Sequence, residues 1–242
     1  MKTGMRSVFW AALLCVGTLR PPVAHAAFPK VTAAHGSAAG AYFGAAVAVI
    51  EDSDADGQCD LLIGGFQGSC GVGSTCNEVY LYSALEGTRL QTFTDSGSEV
   101  PSLFGVHVAS IGDVDDDDAP DVVVGAPTYA TDDVNDVERG RVYVFSGDDG
   151  TEIYHIDGPR TYGWFGGAIL AERDFNDDGI RDLVVSAHGK DGGSDKSVHL
   201  YDGEDGSLIW TVMNPSAEDG ELFGFSLAVT DIDEDGTPEL VV

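Results

Sequence analysis

One unit recurs four times along this chain and constrains its fold more than any other feature. An aromatic–glycine pair precedes an acidic loop, and the loop runs directly into an apolar strand. The clearest copy has Phe104-Gly105, then the loop from Asp113 to Asp121, then three valines. The four loops begin at residues 52, 113, 174 and 231, so the period is 61, 61 and then 57 residues. A fixed period of this size indicates a supersecondary unit that stacks on its own copies.

Each repeat contains the pattern of four short strands. In the first copy the predicted strands are 43–50, 59–64, 79–82 and 89–93. The third strand recurs at 142–145 and 198–201, and the fourth at 152–156 and 208–212, each pair joined by an Asp/Gly turn typical of hairpins. We therefore predict an all-β fold, a β-propeller of four-stranded blades. The blades span about 41–101, 102–162 and 163–220, with a partial fourth blade at 221–242.

The composition fits a folded, strongly acidic protein. The formal net charge is -29, while 43% of the residues are hydrophobic, which is enough to build a core. Such a charge excludes nucleic acid as a partner, because phosphates require Lys and Arg. It also excludes an anionic membrane surface, and it favours an extracellular protein that takes up cations.

The N-terminus has the pattern of a secretory signal peptide. Lys2 and Arg6 precede the apolar run 8–16, which is too short to span a bilayer, and a small-x-small cleavage site stands at 24–26. We predict a signal peptide at 1–26, a lead-in segment at 27–40 and the propeller at 41–242. The mature chain is then secreted or displayed at the cell surface, without a membrane span; the alternative is an N-terminal membrane anchor.

Export permits disulfides, and three cysteines follow the predicted cleavage site. Cys70 and Cys76 lie in one short glycine-rich loop, so we expect them to pair and Cys59 to be left over. Pairing of Cys59 with Cys70 is an open alternative, since sequence alone does not fix connectivity.

The acidic loops have the pattern of cation sites. Alternate oxygen-bearing side chains in a tight loop point at one centre, and a hard cation needs about six to eight oxygen ligands. A backbone carbonyl at position 7 is the expected further ligand, and position 6 is glycine in three copies, as a sharp turn requires. We predict Ca²⁺ as the ion. The side-chain ligands at positions 1, 3, 5 and 9 are Asp52, Asp54, Asp56 and Asp60; Asp113, Asp115, Asp117 and Asp121; Asp174, Asn176, Asp178 and Asp182; and Asp231, Asp233, Asp235 and Glu239. The carbonyl ligands at position 7 belong to Gln58, Ala119, Ile180 and Thr237.

Two alternative interpretations of these loops are an EF-hand and an acidic turn without a metal. An EF-hand requires a glutamate at position 12 between helices, whereas position 12 here is Ile63, Val124, Val185 or Val242 between strands. Solvated acidic turns without a metal are the second alternative. Carboxylates crowded in this way without a cation repel one another, which favours the metal site.

At these residues the chain resembles the FG-GAP repeat family, the calcium-binding blades of the integrin α-subunit propeller and of many secreted bacterial proteins. The resemblance rests on Phe104-Gly105, the Asp113 loop and Gly125-Ala126-Pro127, and it covers roughly residues 41–242. Integrin-type propellers have seven blades, whereas this chain carries three repeats and part of a fourth. The resemblance implies either a fragment of a longer propeller or a ring that something else closes.

Two functional hypotheses follow. The first is an extracellular calcium-binding scaffold for protein or glycan binding and adhesion, with the partner docked on the loops 66–78, 127–140 and 188–197, which vary in length as binding loops do. The second is the propeller portion of a secreted hydrolase or lyase whose catalytic residues lie outside this segment. We found no metalloprotease, nucleophile-elbow or phosphate-loop motif, so the first hypothesis is preferred.

Overall fold

The computed structural model describes residues 42–66, 77–95, 102–130, 137–189, 196–216, 222–233 and 239–242. Every regular element within these ranges is a β-strand, which confirms the predicted all-β fold. The predicted signal peptide 1–26, the lead-in segment 27–40, Cys70 and Cys76 lie outside the described residues. Cys59 forms a disulfide bond with a partner that also lies outside them, so Cys59 is not the cysteine left over.

In the described part of the chain, fourteen strands form three four-stranded antiparallel sheets and one two-stranded sheet. Within each four-stranded sheet the strands pair in chain order, and we call these sheets blades 1, 2 and 3. The second strand of blade 1 extends two residues beyond its prediction, as far as Phe66, and the others differ by a residue or so at their ends. The strands of blade 1 are β1 (Tyr42–Ile50), β2 (Asp60–Phe66), β3 (Glu78–Tyr82) and β4 (Arg89–Thr94). Those of blade 2 are β5 (His107–Gly112), β6 (Asp121–Ala126), β7 (Arg141–Phe145) and β8 (Glu152–Asp157). Those of blade 3 are β9 (Phe165–Arg173), β10 (Asp182–Ala187), β11 (Ser197–Tyr201) and β12 (Leu208–Met213), and the partial fourth blade has β13 (Ala228–Thr230) and β14 (Glu239–Val241).

The up-and-down order of the strands gives every blade two distinct ends. The acidic loop between the first and second strands lies at one end, together with the turn between the third and fourth strands. We call this the acidic end. The variable loops between the second and third strands lie at the other end, together with the connections between blades, and we call it the opposite end.

The core lies between blades, because a blade cannot bury both of its faces alone. Phe104 of the Phe-Gly pair is fully buried in one cluster with Ile50 and Phe93 of blade 1 and Phe145 of blade 2. Its ring stands edge-on to Tyr143 and Phe145, with centroids 5.5 and 6.0 Å away. The repeated aromatic therefore packs between blades.

The glycines of the two sequence motifs meet across the same boundary. A Cβ on Gly64 would lie 2.0 Å from the carbonyl oxygen of Gly105, and one on Gly125 would lie 2.4 Å from the carbonyl oxygen of Gly166. No side chain fits at either contact. The second strand of one blade and the Phe-Gly pair of the next thus require glycine together, which explains why both motifs recur with the repeat.

The first strands of blades 1, 2 and 3 lie innermost, and they line a cavity of about 490 Å³. Its walls are mostly aliphatic, and its charged groups are Glu51, Glu172 and Arg181. Within the described ranges the chain has no helix with the length and apolar character needed to cross a bilayer.

Candidate metal centres at the acidic end

In the first three loops the first aspartate shapes the loop backbone. Asp52 accepts hydrogen bonds from the backbone N–H groups of Asp56 (3.0 Å) and Gly57 (2.7 Å). Asp113 and Asp174 accept bonds from the same loop positions. These bonds curl the loop so that its later side chains turn toward one centre.

In the first three loops the aspartate at position 9 is buried and joins the loop to the neighbouring turn. Asp121 accepts a hydrogen bond from the N–H of Val114 (2.7 Å) with one oxygen and from the N–H of Gly147 (3.0 Å) with the other. Asp60 and Asp182 do the same in their blades. Position 9 therefore ties the acidic loop to the turn after the third strand.

Burial of the position 9 carboxylates disfavours their ionised form. Desolvation raises the pKa of Asp121 to about 6, and repulsion from Asp115 and Asp117 adds to the effect, against the two backbone hydrogen bonds. Burial likewise raises the pKa of Asp60 and of Asp182. A cation at this position would offset both the desolvation of the carboxylate and its repulsion by neighbouring carboxylates.

In every loop, carboxylates converge to within 4.8 Å of one another. In loops 1, 2 and 4 the converging residues are those at positions 1, 3 and 9. In loop 3 they are the residues at positions 5 and 9 together with Asp202, which the sequence analysis did not single out. The four groups are Asp52, Asp54 and Asp60; Asp113, Asp115 and Asp121; Asp178, Asp182 and Asp202; and Asp231, Asp233 and Glu239.

The remaining predicted ligands surround these clusters. Asp56 and Asp117, at position 5, each accept the N–H of the position 7 residue, Gln58 or Ala119, at 2.8 Å. Asp178 does the same with the N–H of Ile180 at 2.7 Å. Asp174 accepts hydrogen bonds from N–H groups of the loop backbone. The side-chain amide of Asn176 donates to the carboxylates of Asp178 and Asp202. Asp235 and Thr237 lie outside the described residues.

The backbone at position 6 is left-handed in all three described loops. Gly57 and Gly179 have φ of 87° and 103°, and Asp118 adopts 71° in the second copy. Aspartate tolerates this region better than most residues, so the second loop keeps its shape without glycine.

The donor set fits a hard cation. It consists of carboxylate oxygens, with no histidine or cysteine in any cluster. Ca²⁺ binds oxygens at about 2.3–2.6 Å, so two ligands of one ion lie at most about 5 Å apart. A spread within 4.8 Å therefore suits a single ion in each loop.

Sequence reasoning missed a contribution from the turn after the third strand. The hydroxyl of Ser83 donates to Asp56 (3.4 Å), and the hydroxyl of Ser146 donates to Asp117 (3.2 Å). Asp202 holds the same place in blade 3. The signal was present in the sequence, since each residue directly follows a repeated third-strand tetrapeptide.

A charged contact beside the acidic loops links blades 1 and 3. Arg181 donates to Glu51 at 2.5 Å, and the Ser110 hydroxyl of blade 2 donates to the other oxygen of Glu51 at 2.5 Å. Burial raises the pKa of Glu51, but these two hydrogen bonds and the charge of Arg181 outweigh it and hold the pKa below its ordinary value. One carboxylate thereby connects three blades.

The opposite end has a different chemistry. Arg141 stacks over the ring of Tyr129, 4.0 Å from its centroid, and pairs with Asp157 at 2.5 Å. The indole N–H of Trp164 donates to Glu138 at 3.0 Å. Tyr162 is 51% exposed, although its backbone adopts a left-handed φ of 54°. Among its described residues, this end therefore combines aromatic side chains with single carboxylates that are each paired, in place of clustered carboxylates.

Comparison with known proteins agrees with this architecture. An FG-GAP-like repeat model matches residues 174–242. The chain is 30% identical over 214 residues to integrin alpha-5 of Xenopus laevis and 29% identical over 220 residues to integrin alpha-V of Gallus gallus. Each alignment covers 83% of this chain and 20% of the relative. The chain carries FG-GAP-like repeat sequence and is similar to integrin α-subunits over most of its length.

Solved structures support the fold alone. A rhamnogalacturonan lyase of Bacillus licheniformis, PL11, superposes with a TM-score of 0.50 at 16% identity. The match covers 82% of this chain and 40% of that one. The chain thus spans about a fifth of the integrin relatives and two fifths of this structural neighbour.

Proposed function

We propose that this chain is an extracellular calcium-binding β-propeller scaffold that binds a protein or glycan partner in adhesion. The carrying observation is the convergence of carboxylates at the same position of each repeat, within 4.8 Å of one another. The resemblance to integrin α-subunits supports an adhesive role, and the predicted signal peptide supports export.

In this proposal the ions act on structure. The ligands would be the side-chain oxygens at positions 1, 3, 5 and 9 of each loop and the carbonyl at position 7. A bound ion neutralises the crowded carboxylates, and it fixes the loop against the turn through the buried aspartate at position 9. An ion that binds only the folded loop stabilises it by about 2.7 kcal/mol at a hundredfold excess over Kd.

Calcium titration of the full chain, followed by thermal unfolding in calcium, magnesium or chelator, tests the metal proposal. We expect saturable calcium binding and a melting temperature that falls when the chelator removes the ion. Magnesium should protect less, because it demands a stricter octahedral geometry and gives up its water reluctantly. Absence of binding heat, together with equal melting in all three conditions, would overturn the proposal.

The partner is proposed to dock at the opposite end, where Tyr162, Trp164 and Arg141 lie among loops of variable length. Aromatic and arginine side chains are enriched where proteins bind one another. At the acidic end, by contrast, carboxylates are oriented toward the ions. The two roles therefore occupy separate ends of the blades.

An array of immobilised glycans and extracellular matrix proteins tests the docking face. We expect the full chain to bind some of the spots, and Tyr162→Ser to weaken that binding. Glu204→Ser, a change of an exposed residue at the acidic end, is the matched control and should bind as the wild type does. Equal loss of binding in both variants would contradict docking at the opposite end.

The inner cavity has three charged groups. Glu51 and Arg181 pair with each other, and Glu172 is the further carboxylate of the lining. The alternative, the propeller portion of a secreted hydrolase or lyase, places the catalytic groups outside this segment.

A further inference from the structure

The third acidic loop differs from the other three in the charge of its proposed ligand positions. Position 3 is Asn176, whereas the other loops carry aspartate there. The residue after the third strand differs in the same blade, since blades 1 and 2 have Ser83 and Ser146 and blade 3 has Asp202. The blade that lacks a carboxylate in its loop therefore carries one in its turn.

The geometry brings this carboxylate into the third cluster. Asp202 lies in one group with Asp178 and Asp182, with ligand atoms within 4.8 Å of one another. The amide nitrogen of Asn176 donates to Asp202 at 2.8 Å and to Asp178 at 2.7 Å. One side chain from the turn and one from the loop thus face the same centre.

The turn is held close enough for this contact by its backbone. The N–H of Gly203 donates to the buried Asp182 at 3.2 Å, and a Cβ on Gly203 would lie 1.9 Å from the carbonyl oxygen of Arg181. Only glycine permits so close an approach. One oxygen of Asp202 accepts the N–H of Glu204 within the turn, and the other is directed to the loop.

We propose that Asp202 is a ligand of the third cation site and supplies the negative charge that Asn176 lacks. This inference rests on the proposed function, because it assigns a ligand to one of the proposed sites. With an ion present, Asn176 would have to present its carbonyl oxygen in place of its amide nitrogen, since only the oxygen is a ligand for a hard cation. The third site then links its loop to a separate turn through a carboxylate, where blades 1 and 2 use a serine hydroxyl.

Calcium titration of full-length variants by calorimetry tests the assignment. Asp202→Ser gives blade 3 the serine of blades 1 and 2 but leaves Asn176 in its loop. We expect one site to weaken by about tenfold or more, because affinity follows the number of charged ligands. Adding Asn176→Asp to Asp202→Ser should restore the affinity, since the charge returns at the position used by the other loops.

Glu204→Ser is the matched control, because it removes one negative charge from the same turn at an exposed position. Equal effects of Glu204→Ser and Asp202→Ser, or failure of the double variant to restore affinity, would overturn the assignment. Wild-type protein that takes up no calcium would overturn the proposed function itself. Wild-type binding with an unaffected Asp202→Ser variant would overturn only the role of Asp202.

The same exchange made in blade 2 keeps the test open if Asp202→Ser does not fold. Asp115→Asn alone should weaken the second site, and Asp115→Asn combined with Ser146→Asp should recover it. Recovery supports a general exchange of charge between position 3 and the turn. Absence of recovery in blade 2 would contradict the geometry from which Asp202 was assigned.

Discussion

The two ends of the same blades follow different rules. At the acidic end the same two kinds of hydrogen bond recur in the first three loops. Loop N–H groups donate to the first aspartate, such as Asp52 or Asp113, and an N–H group of the turn donates to the aspartate at position 9, such as Asp60 or Asp121. At the opposite end each blade has its own contacts, such as Arg141 over Tyr129 in blade 2. The repeat fixes one end and leaves the other free to diverge.

Under the proposed function, this difference separates ion binding from partner binding in the molecule. If ions neutralise the carboxylates at the acidic end, the stability of that end should respond to calcium. The opposite end is held by packing, and its stability should respond little.

The largest expected effect comes from the packing between blades near the opposite end. Phe104→Ala removes a fully buried ring between blades 1 and 2 and should cost about 3–5 kcal/mol of unfolding free energy. Urea unfolding should give the same loss with calcium and with chelator. A loss of unfolding free energy that appears only with calcium would show that packing and ion binding are not separable. The control Phe104→Leu should cost less unfolding free energy in both conditions.

A pH dependence should come from a histidine that is buried between hydrogen-bond partners. Burial lowers the pKa of His199 to about 4, and the charge of Arg160 adds to the effect. The unfolded chain binds the proton near pH 6.5, so His199 by itself should lower the unfolding free energy by up to about 3 kcal/mol as the pH drops from about 6.5 to about 4. Asp121, whose pKa is raised to about 6, contributes in the opposite direction.

The control for this titration is His199→Gln, which keeps polar atoms near Ser197 and Thr211, both 2.9 Å from the imidazole. As the pH falls across this range, the wild type should lose unfolding free energy relative to the variant, as measured by urea unfolding at each pH. Identical pH profiles would contradict the assignment of this slope to His199.

An ion-dependent loss should appear at the acidic end. Asp115→Ala removes one carboxylate of the second cluster and should cost about 2.7 kcal/mol at a hundredfold calcium excess over Kd. In chelator it should be neutral or slightly stabilising, because partial burial and the charges of Asp117 and Asp113 raise the pKa of Asp115. Asp148→Ala, an exposed change in the neighbouring turn, should be silent in both media.

The smallest effect should come from a strained surface residue at the opposite end. Tyr162→Asn places a residue that tolerates left-handed backbone at φ 54° and should stabilise by zero to about 1 kcal/mol, with or without calcium. Tyr162→Phe keeps the strain and should change nothing. A clear destabilisation by Tyr162→Asn in urea unfolding would mean that the ring packs rather than faces a partner.

Sequence reasoning reached the repeated features of this fold and stopped where contacts join distant segments. The strands and acidic loops followed from period and alternation, since both are local. The meeting of Gly64 with Gly105 and the pairing of Glu51 with Arg181 depend on how blades stack, which spacing within a repeat does not encode. Asp202 was missed for the same reason, because it reaches the third cluster from a different hairpin.

The most direct test of the account is a crystal structure of the calcium-loaded chain with anomalous scattering measured for the ion. The account predicts one calcium peak in each acidic loop, about 2.3–2.6 Å from the side-chain oxygens at positions 1, 3, 5 and 9, with Asp202 among the ligands of the third. Loops that keep their shape while the anomalous map shows no peak at saturating calcium would contradict it, and the acidic repeats would then be turns held by hydrogen bonds alone.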